Sequence, residues 1–119
     1  MPKKTIFIVE DDPDISELMQ MIVENEGFEV KTFVEAKAVE SSVIKQKPCL
    51  VITDLSVGNT DGAGLARKLK HNAKTAETRV LLVSAKTSLE EIAREARADG
   101  YLAKPFNIQD LTNLVKKLA

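Results

Sequence analysis

The sequence Leu50-Val51-Ile52-Thr53-Asp54 decides the fold that we predict for this chain. Four residues that favour the interior of a sheet are followed at once by a carboxylate. A short apolar run of this kind is typical of a strand buried on both faces, as in a parallel sheet. Because ligands and chemistry in open α/β sheets occupy the carboxyl ends of the strands, Asp54 lies where a reactive group is expected.

A second apolar run, Ile6–Val9, ends in three carboxylates: Glu10, Asp11 and Asp12. Two like charges about 4 Å apart repel by roughly 4 kcal/mol at an effective dielectric constant near 20. Protons or a cation must relieve that repulsion, and a few hard oxygen ligands suit Mg²⁺. The alternative is a solvated acidic loop that caps a helix. That alternative explains Asp12 well, but it explains Glu10 and Asp11 less well.

Composition limits the classes of function. The 119 residues include 17 Lys and Arg against 18 Asp and Glu, a net charge of -1, so charge gives no general reason to expect direct binding to nucleic acid or to an anionic membrane. We find no apolar run long enough to span a bilayer and no signal-peptide pattern after Met1. A single cysteine, Cys49, excludes an internal disulfide and is expected to be a buried, inert thiol. We therefore expect one cytoplasmic domain over residues 1–119.

Short apolar runs alternate with helical patterns five times, which predicts an α/β fold with a parallel sheet and helices on both faces. The predicted strands are Thr5–Val9, Glu29–Phe33, Leu50–Asp54, Arg79–Val83 and Gly100–Ala103.

The helices are predicted from their caps and their apolar stripes. Asp12, Asp61 and Asn107 are expected to cap the first, third and fifth helices, and Ser88–Glu91 has the pattern of a capping box for the fourth. The second helix is predicted over Glu35–Lys47, and His71–Thr78 is predicted to be a polar connection. The stripes expected to face inward include Leu18 on the first helix and Ile108 on the last.

Asp54 alone fits three roles: a metal ligand, a nucleophile or a loop cap. An aspartate can attack phosphorus to form an acyl phosphate, and that reaction mainly needs the charge on the phosphoryl oxygens to be neutralised. Lys104, after the fifth predicted strand, can supply a positive charge, and Ser84, at the end of the fourth, can supply a hydroxyl. Singly, each is better explained as a surface lysine or a turn residue. Their coincidence at four strand ends favours a phosphoryl site.

The chain resembles the receiver domains of two-component response regulators over essentially its whole length. The resemblance is carried, in order and with the right spacing, by Val9–Pro13, Asp54-Leu55 with Asp61-Gly62, Ser84-Ala85, and Tyr101–Phe106. The resemblance implies a flavodoxin-like (βα)5 fold with strand order 2-1-3-4-5.

The resemblance also implies a role for individual residues. It implies that Asp54 is phosphorylated, and that Asp11, Asp54 and the backbone carbonyl of Ser56 bind Mg²⁺ or another divalent cation such as Mn²⁺. Glu10 would act through a metal-bound water.

Four more residues receive expectations from the same source. Ser84 would move to contact the phosphoryl group and Lys104 would pair with it. Tyr101 would be the aromatic residue that swings inward on activation, although an ordinary half-buried tyrosine of an edge strand is the alternative. The Lys104–Pro105 peptide bond would be cis.

The implied phosphodonor is a histidine kinase or a histidine phosphotransfer domain. A downstream protein would bind the surface formed by helix four, strand five and helix five. A homodimer is a further candidate, and the sequence does not say whether the chain acts alone or within a larger regulator.

Four positions depart from the family pattern or flank the site. Val57 and Gly58 occupy positions where the family usually has Met-Pro, and glycine permits backbone angles that proline forbids. This change puts the metal geometry and the lifetime of the phosphoryl group in question. Arg97 occupies a position where glycine often ends helix four, and Lys86 flanks the site, where it could affect the access of water.

Other classes of function remain as alternatives. Gly58 is the one feature that favours a phosphorylation-independent interaction module on the same fold. A phosphatase with an aspartate nucleophile usually carries a second acid two residues later, where this chain has Ser56. A flavin-binding flavodoxin is disfavoured, because an acidic first loop, Glu10–Asp12, repels a phosphate.

Overall fold

The apolar run at Leu50–Asp54 is the central strand of a five-stranded sheet in the computed structural model, which describes residues 3–57 and 60–119. The strands of this sheet are β1 (Thr5–Val9), β2 (Glu29–Phe33), β3 (Leu50–Asp54), β6 (Arg79–Ser84) and β7 (Gly100–Ala103). Two short strands, β4 (Ser56–Val57) and β5 (Thr60–Asp61), pair antiparallel in the loop after β3. The helices are α1 (Pro13–Asn25), α2 (Val39–Gln46), α3 (Gly62–His71), α4 (Leu89–Glu95) and α5 (Ile108–Leu118).

All neighbouring strands of the large sheet are parallel, in the order β2-β1-β3-β6-β7. Counted along the chain without the two short strands, this is the predicted order 2-1-3-4-5 of the flavodoxin-like fold, and the prediction is confirmed. The register places Val9 level with Thr53, and Ser84 level with Ala103. The residues that follow β1, β3, β6 and β7 therefore lie along one edge of the sheet.

The core forms one layer on each face of the sheet, because successive side chains of a strand point to opposite faces. Phe7 and Val51 face the layer that contains α2, α3 and α4, whereas Ile6 and Ile52 face the layer that contains α1 and α5. Both layers are mainly aliphatic, as the composition predicts. The central strand is buried from Leu50 to Thr53, so its position is fixed from both sides.

Helix caps hold three of the helices where the sequence predicts them. Asp12 accepts hydrogen bonds from the backbone N–H groups of Asp14 and Ile15. Asp61 accepts from the N–H of Ala63, and Asn107 from that of Asp110. Two of these caps, those of α1 and α3, follow the strands that carry the acidic residues of the site.

The predictions for α2 and α4 need correction. Helix α2 begins at Val39 and not at Glu35, and Ala38 makes no side-chain cap. The segment 35–38 forms bends and turns, from which Ala36 still packs into the core. Ser88 does not form the predicted capping box. Its ψ of 12° departs from the extended conformation that brings a capping side chain back to the helix.

Two residues predicted to face inward are exposed instead, Leu18 at 45% and Ile108 at 62%. Helix α1 packs through Met19, Ile22 and Val23, and α5 through Leu111, Val115 and Leu118, so the buried stripe is narrower than the apolar stripe. His71 belongs to the last turn of α3 and not to the connection that follows.

Two turns outside the site contain a residue with a positive φ. Arg97, just beyond the end of α4, has a φ of 61°, and Gly27 beyond the end of α1 has a φ of 95°. None of the helices in the described part of the chain combines the length and the apolar composition that crossing a bilayer requires.

Candidate functional site

The side chain of Lys104 joins two of the predicted acidic residues. Its Nζ lies 2.6 Å from Oδ2 of Asp54 and 3.0 Å from Oε1 of Glu10. Glu10 follows β1, Asp54 ends β3 and Lys104 follows β7, so three strand ends converge on one ion-pair cluster. The lysine reaches it across the end of β6, which lies between β3 and β7 in the sheet. The Lys104–Pro105 peptide bond is cis.

The charges of this cluster are largely shielded from solvent. The side chain of Glu10 is 3% exposed, that of Asp54 17% and that of Lys104 20%. Burial raises the pKa of Glu10; Lys104 opposes this rise and the nearby Asp54 carboxylate adds to it. Burial acts to lower the pKa of Lys104, but its hydrogen bonds to Asp54 and Glu10 and their charges outweigh this, and the pKa is raised. Lys104 therefore stays protonated at neutral pH and places a positive charge beside Asp54.

The backbone around Asp54 is held on several sides. Oδ1 of Asp54 accepts from the N–H of Ser56 at 3.3 Å. Its carbonyl oxygen accepts from the hydroxyl of Thr53 at 3.0 Å, and the next N–H, that of Leu55, donates to the carbonyl of Val83 at 3.1 Å. The carboxylate thus has one oxygen on Lys104 and the other on the following loop.

The neighbourhood of Asp11 bears on metal binding. The N–H of Asp11 donates to Oε2 of Glu10 at 3.1 Å, and the N–H of Glu10 donates to the carbonyl of Phe33 at 2.9 Å. Within residues 3–57 and 60–119, no group of three or more His, Cys, Asp and Glu residues is arranged so that it could hold a metal ion. Asp11 follows β1 and lies at the same edge of the sheet as Asp54. The predicted ligand set of Asp11, Asp54 and Ser56 stays a prediction.

The carboxylates nevertheless fit Mg²⁺ by their chemistry. One oxygen of Glu10 and one of Asp54 both contact the ammonium group of Lys104, at 3.0 and 2.6 Å. The two carboxylates therefore lie close together. Mg²⁺ is usually held by one or two protein carboxylates and keeps several waters. Asp54 is a carboxylate of this kind, and Glu10 beside it could accept from a metal-bound water; Lys104 now neutralises the charge of both.

Ser84 lies at the same edge of the sheet and is buried. Its Oγ accepts from the N–H of Lys86 at 3.1 Å, and its carbonyl accepts from the N–H of Lys104 at 2.9 Å. The backbone of Ser84 therefore anchors the start of the segment that carries the lysine. Its predicted contact with a phosphoryl group stays a prediction, and Lys86 is exposed beside it.

Tyr101 lies away from this cluster. Its side chain is exposed on β7, and a hydrogen bond from its hydroxyl to Glu90 of α4 raises its pKa. The residue is 42% exposed and lies outside the site, and its role in switching stays a prediction. Of the departures in the loop after β3, Gly58 lies outside the described residues.

Two features of the site were not predicted from the sequence. The pairing of Glu10 with Lys104 joins residues 94 positions apart, and no sequence signal selects this pair among the acids near the strand ends. Gly62 packs directly on the backbone of Asp54; its only signal was its place in the Asp61-Gly62 motif.

An apolar cavity of about 380 Å³ also adjoins Lys104, lined by Ile15, Leu18, Ala85, Pro105 and Phe106.

Comparisons with known proteins identify the family that this chain matches. A family model described as the response regulator receiver domain matches residues 6–116. The DNA-binding dual master transcriptional regulator RpaA of Synechocystis is 29% identical over 120 residues, which cover 99% of this chain and 49% of RpaA. This chain spans about half the length of the curated relatives that it matches.

Solved structures agree over the whole fold. A CheY-like response regulator receiver domain protein from Methanospirillum hungatei is 28% identical, with a TM-score of 0.87 over 98% of this chain and 93% of that one. The receiver domain of the sensor histidine kinase PA1611 from Pseudomonas aeruginosa, described with a magnesium ion in its active site cleft, has a TM-score of 0.87. That match covers 98% of both chains at 20% identity, and it shows likeness of fold alone.

Proposed function

This chain belongs to the response regulator receiver domain family, and from that premise we propose that Asp54 accepts a phosphoryl group from a phosphohistidine donor. The observation that carries the proposal is the position of Asp54. Its carboxylate ends the central strand, keeps a part of its surface exposed, and lies 2.6 Å from the Lys104 ammonium. A nucleophilic oxygen and a positive charge are thus held together on a rigid scaffold.

The proposed reaction is a simple displacement at phosphorus. An oxygen of the Asp54 carboxylate forms a bond to phosphorus while the bond from phosphorus to the donor's imidazole nitrogen breaks. The electron pair of that bond stays on the imidazole, which is released neutral or takes up a proton from water. The product is an acyl phosphate on Asp54.

Charge neutralisation is the main requirement of this reaction. The ammonium of Lys104 would turn from the carboxylate to the incoming phosphoryl oxygens, and its raised pKa keeps it charged. Mg²⁺ or Mn²⁺, held by Asp11, Asp54 and the carbonyl of Ser56 with Glu10 behind a water, would neutralise further charge on those oxygens.

The alternatives have less support. A phosphorylation-independent interaction module has no use for a partly exposed carboxylate held beside an ammonium at the end of the central strand, and Gly58 is the one feature that favours it. A stand-alone phosphatase would need a second acid near Asp54, and position 56 is a serine. We therefore propose a phosphoacceptor switch that assists its own phosphorylation and dephosphorylation.

The proposal extends to domain, location and partners. Residues 1–119 would form a single receiver domain in the cytoplasm, without direct contact with nucleic acid or membrane. Its phosphodonor would be a histidine kinase or a histidine phosphotransfer domain. The added charge would bias a two-state equilibrium of the surface formed by α4, β7 and α5, which then binds a downstream protein or a second copy of the chain.

The test uses the purified chain with Mg²⁺ and acetyl phosphate, followed by intact mass spectrometry. We expect one added phosphoryl group that is stable in acid and lost in base, and no gain in the presence of EDTA. D54N should abolish the gain, whereas D110N, which changes an exposed aspartate in the first turn of α5, should not. A wild-type chain that gains no phosphoryl group, or a D54N variant that still does, would overturn the proposal.

A further inference from the structure

Gly62, the first residue of α3, lies against the backbone of Asp54. A Cβ added at Gly62 would overlap the carbonyl oxygen of Asp54. It would also lie 2.9 Å from the carbonyl carbon of Asp54 and 3.0 Å from Cα of Leu55. All three are backbone atoms, which cannot turn aside as a side chain can. Only a residue without a side chain fits here unless the backbone moves.

Hydrogen bonds fix the same two segments together. The N–H of Gly62 donates to the carbonyl of Leu55 at 2.7 Å, and Ser56 pairs with Asp61 just beyond. On the other side, the N–H of Leu55 donates to Val83 of β6. The peptide that links Asp54 to Leu55 is therefore clamped between the sheet and the first residue of α3.

We propose that Gly62 is a positioning residue for phosphoryl transfer: the missing side chain sets where the Asp54 carboxylate stands relative to Lys104. The inference rests on the proposed function of Asp54. A single methylene separates the carboxylate from the backbone, so a shift of the Asp54 peptide moves both carboxylate oxygens. Those oxygens lie 2.6 Å from Nζ of Lys104 and 3.3 Å from the N–H of Ser56, and both distances would change.

Helix propensity and backbone conformation do not explain this glycine. Alanine is favoured over glycine inside a helix by about 1 kcal/mol, and at the first residue of α3 helix propensity gives glycine no advantage over alanine. Among the described glycines, the left-handed region is occupied by Gly27 and not by Gly62. The close approach to Asp54 is what an alanine would disturb.

Gly64 supplies a matched control two residues further along α3. A Cβ at Gly64 would lie 3.4 Å or more from its nearest neighbours, which are all atoms of the Asp61 side chain. G62A and G64A therefore make the same chemical change in the same helix, but only G62A pushes on the backbone of Asp54.

The experiment compares the wild type, G62A and G64A with acetyl phosphate and Mg²⁺, at a temperature where urea unfolding shows each to be folded. Because misplacing a reacting group by about 1 Å can cost on the order of 100-fold in rate, we expect phosphorylation of G62A to be slower by about tenfold or more. G64A should stay within about twofold of the wild type, a change of less than 0.5 kcal/mol in the barrier. The ¹³C shift of the Asp54 carboxyl group, measured without Mg²⁺, should move in G62A and not in G64A.

The outcomes separate the two ideas. A wild-type chain that gains no phosphoryl group overturns the proposed function. A wild type that is phosphorylated, together with a G62A variant that is folded and equally fast, overturns the positioning role alone.

If G62A does not fold, hydrogen exchange of the wild type decides. Amides in the first turn of a helix usually lack a partner inside the helix, whereas the Gly62 amide is held by Leu55. We expect its exchange to be as slow as that of the amides of β3. Exchange at the rate of an unprotected glycine amide would overturn the proposal.

Discussion

Replacing Lys104 by methionine tests the ion-pair cluster most severely. The change keeps most of the apolar stem and removes the cation that, among the described residues, contacts both Glu10 and Asp54. Two carboxylates of low exposure are then left side by side. Breaking a buried ion pair by removing one partner costs about 3–5 kcal/mol, and because Lys104 retains some solvent contact we expect about 3 kcal/mol.

Urea unfolding at neutral pH without Mg²⁺ measures this cost. A loss of about 3 kcal/mol lowers the unfolding midpoint by roughly 1–2 M urea for a domain of this size. The K116M variant is the matched control, since Lys116 pairs with Glu26 at 3.5 Å and is 64% exposed. Because the Lys116 ammonium lies largely in water, its removal should cost about 0.5 kcal/mol or less, although the Glu26 side chain is only 20% exposed.

A double-mutant cycle identifies the cause of the loss. In an E10Q background the buried negative charge is already absent, so K104M should cost about 1–2 kcal/mol less than in the wild type. A K104M variant that unfolds within 0.5 kcal/mol of the wild type would refute the reasoning about the cluster. An identical cost in both backgrounds would show that Glu10 is not the partner that matters.

Three further predictions concern features away from the cluster. R97G should stabilise the chain by about 0.5–1 kcal/mol in urea unfolding, because arginine is strained at a φ of 61° and glycine is not; R97A should show no such gain. N107A should cost about 1 kcal/mol by removing the cap of α5, whereas S88A should change the unfolding free energy by less than about 0.5 kcal/mol, and equal losses would contradict the cap assignments. Cys49 is partly buried and not fully buried as predicted, and this burial raises its pKa, so its reaction with a thiol reagent at pH 8 should be slower in the folded chain than in urea and should still increase at higher pH; equal rates would contradict the partial burial.

The architecture was predictable because its signals are local. The run Leu50–Asp54 reads as a doubly buried strand, and strand and helix patterns alternate around it. The positions of Asp54 and Lys104 at one edge of the sheet follow from that alternation, since parallel strands end on the same side.

Other features depend on distances that no local pattern contains. The capping box at Ser88 has the right residues, but the backbone there leaves the extended conformation that a cap needs. The apolar stripes of α1 and α5 are wider than the area that each helix buries, so the pattern could not show that Leu18 and Ile108 are exposed. The approach of Gly62 to Asp54 appears only when β3 and α3 are packed together.

The account depends on Asp54 being the residue that takes up phosphorus. Borohydride reduces an acyl phosphate on aspartate to the alcohol, which leaves homoserine at that position and can be located by peptide mass spectrometry. After treatment with acetyl phosphate and Mg²⁺, the account predicts homoserine at position 54 and none in the sample treated with EDTA. Homoserine at another aspartate, or at no position in a chain shown to be folded, would contradict it.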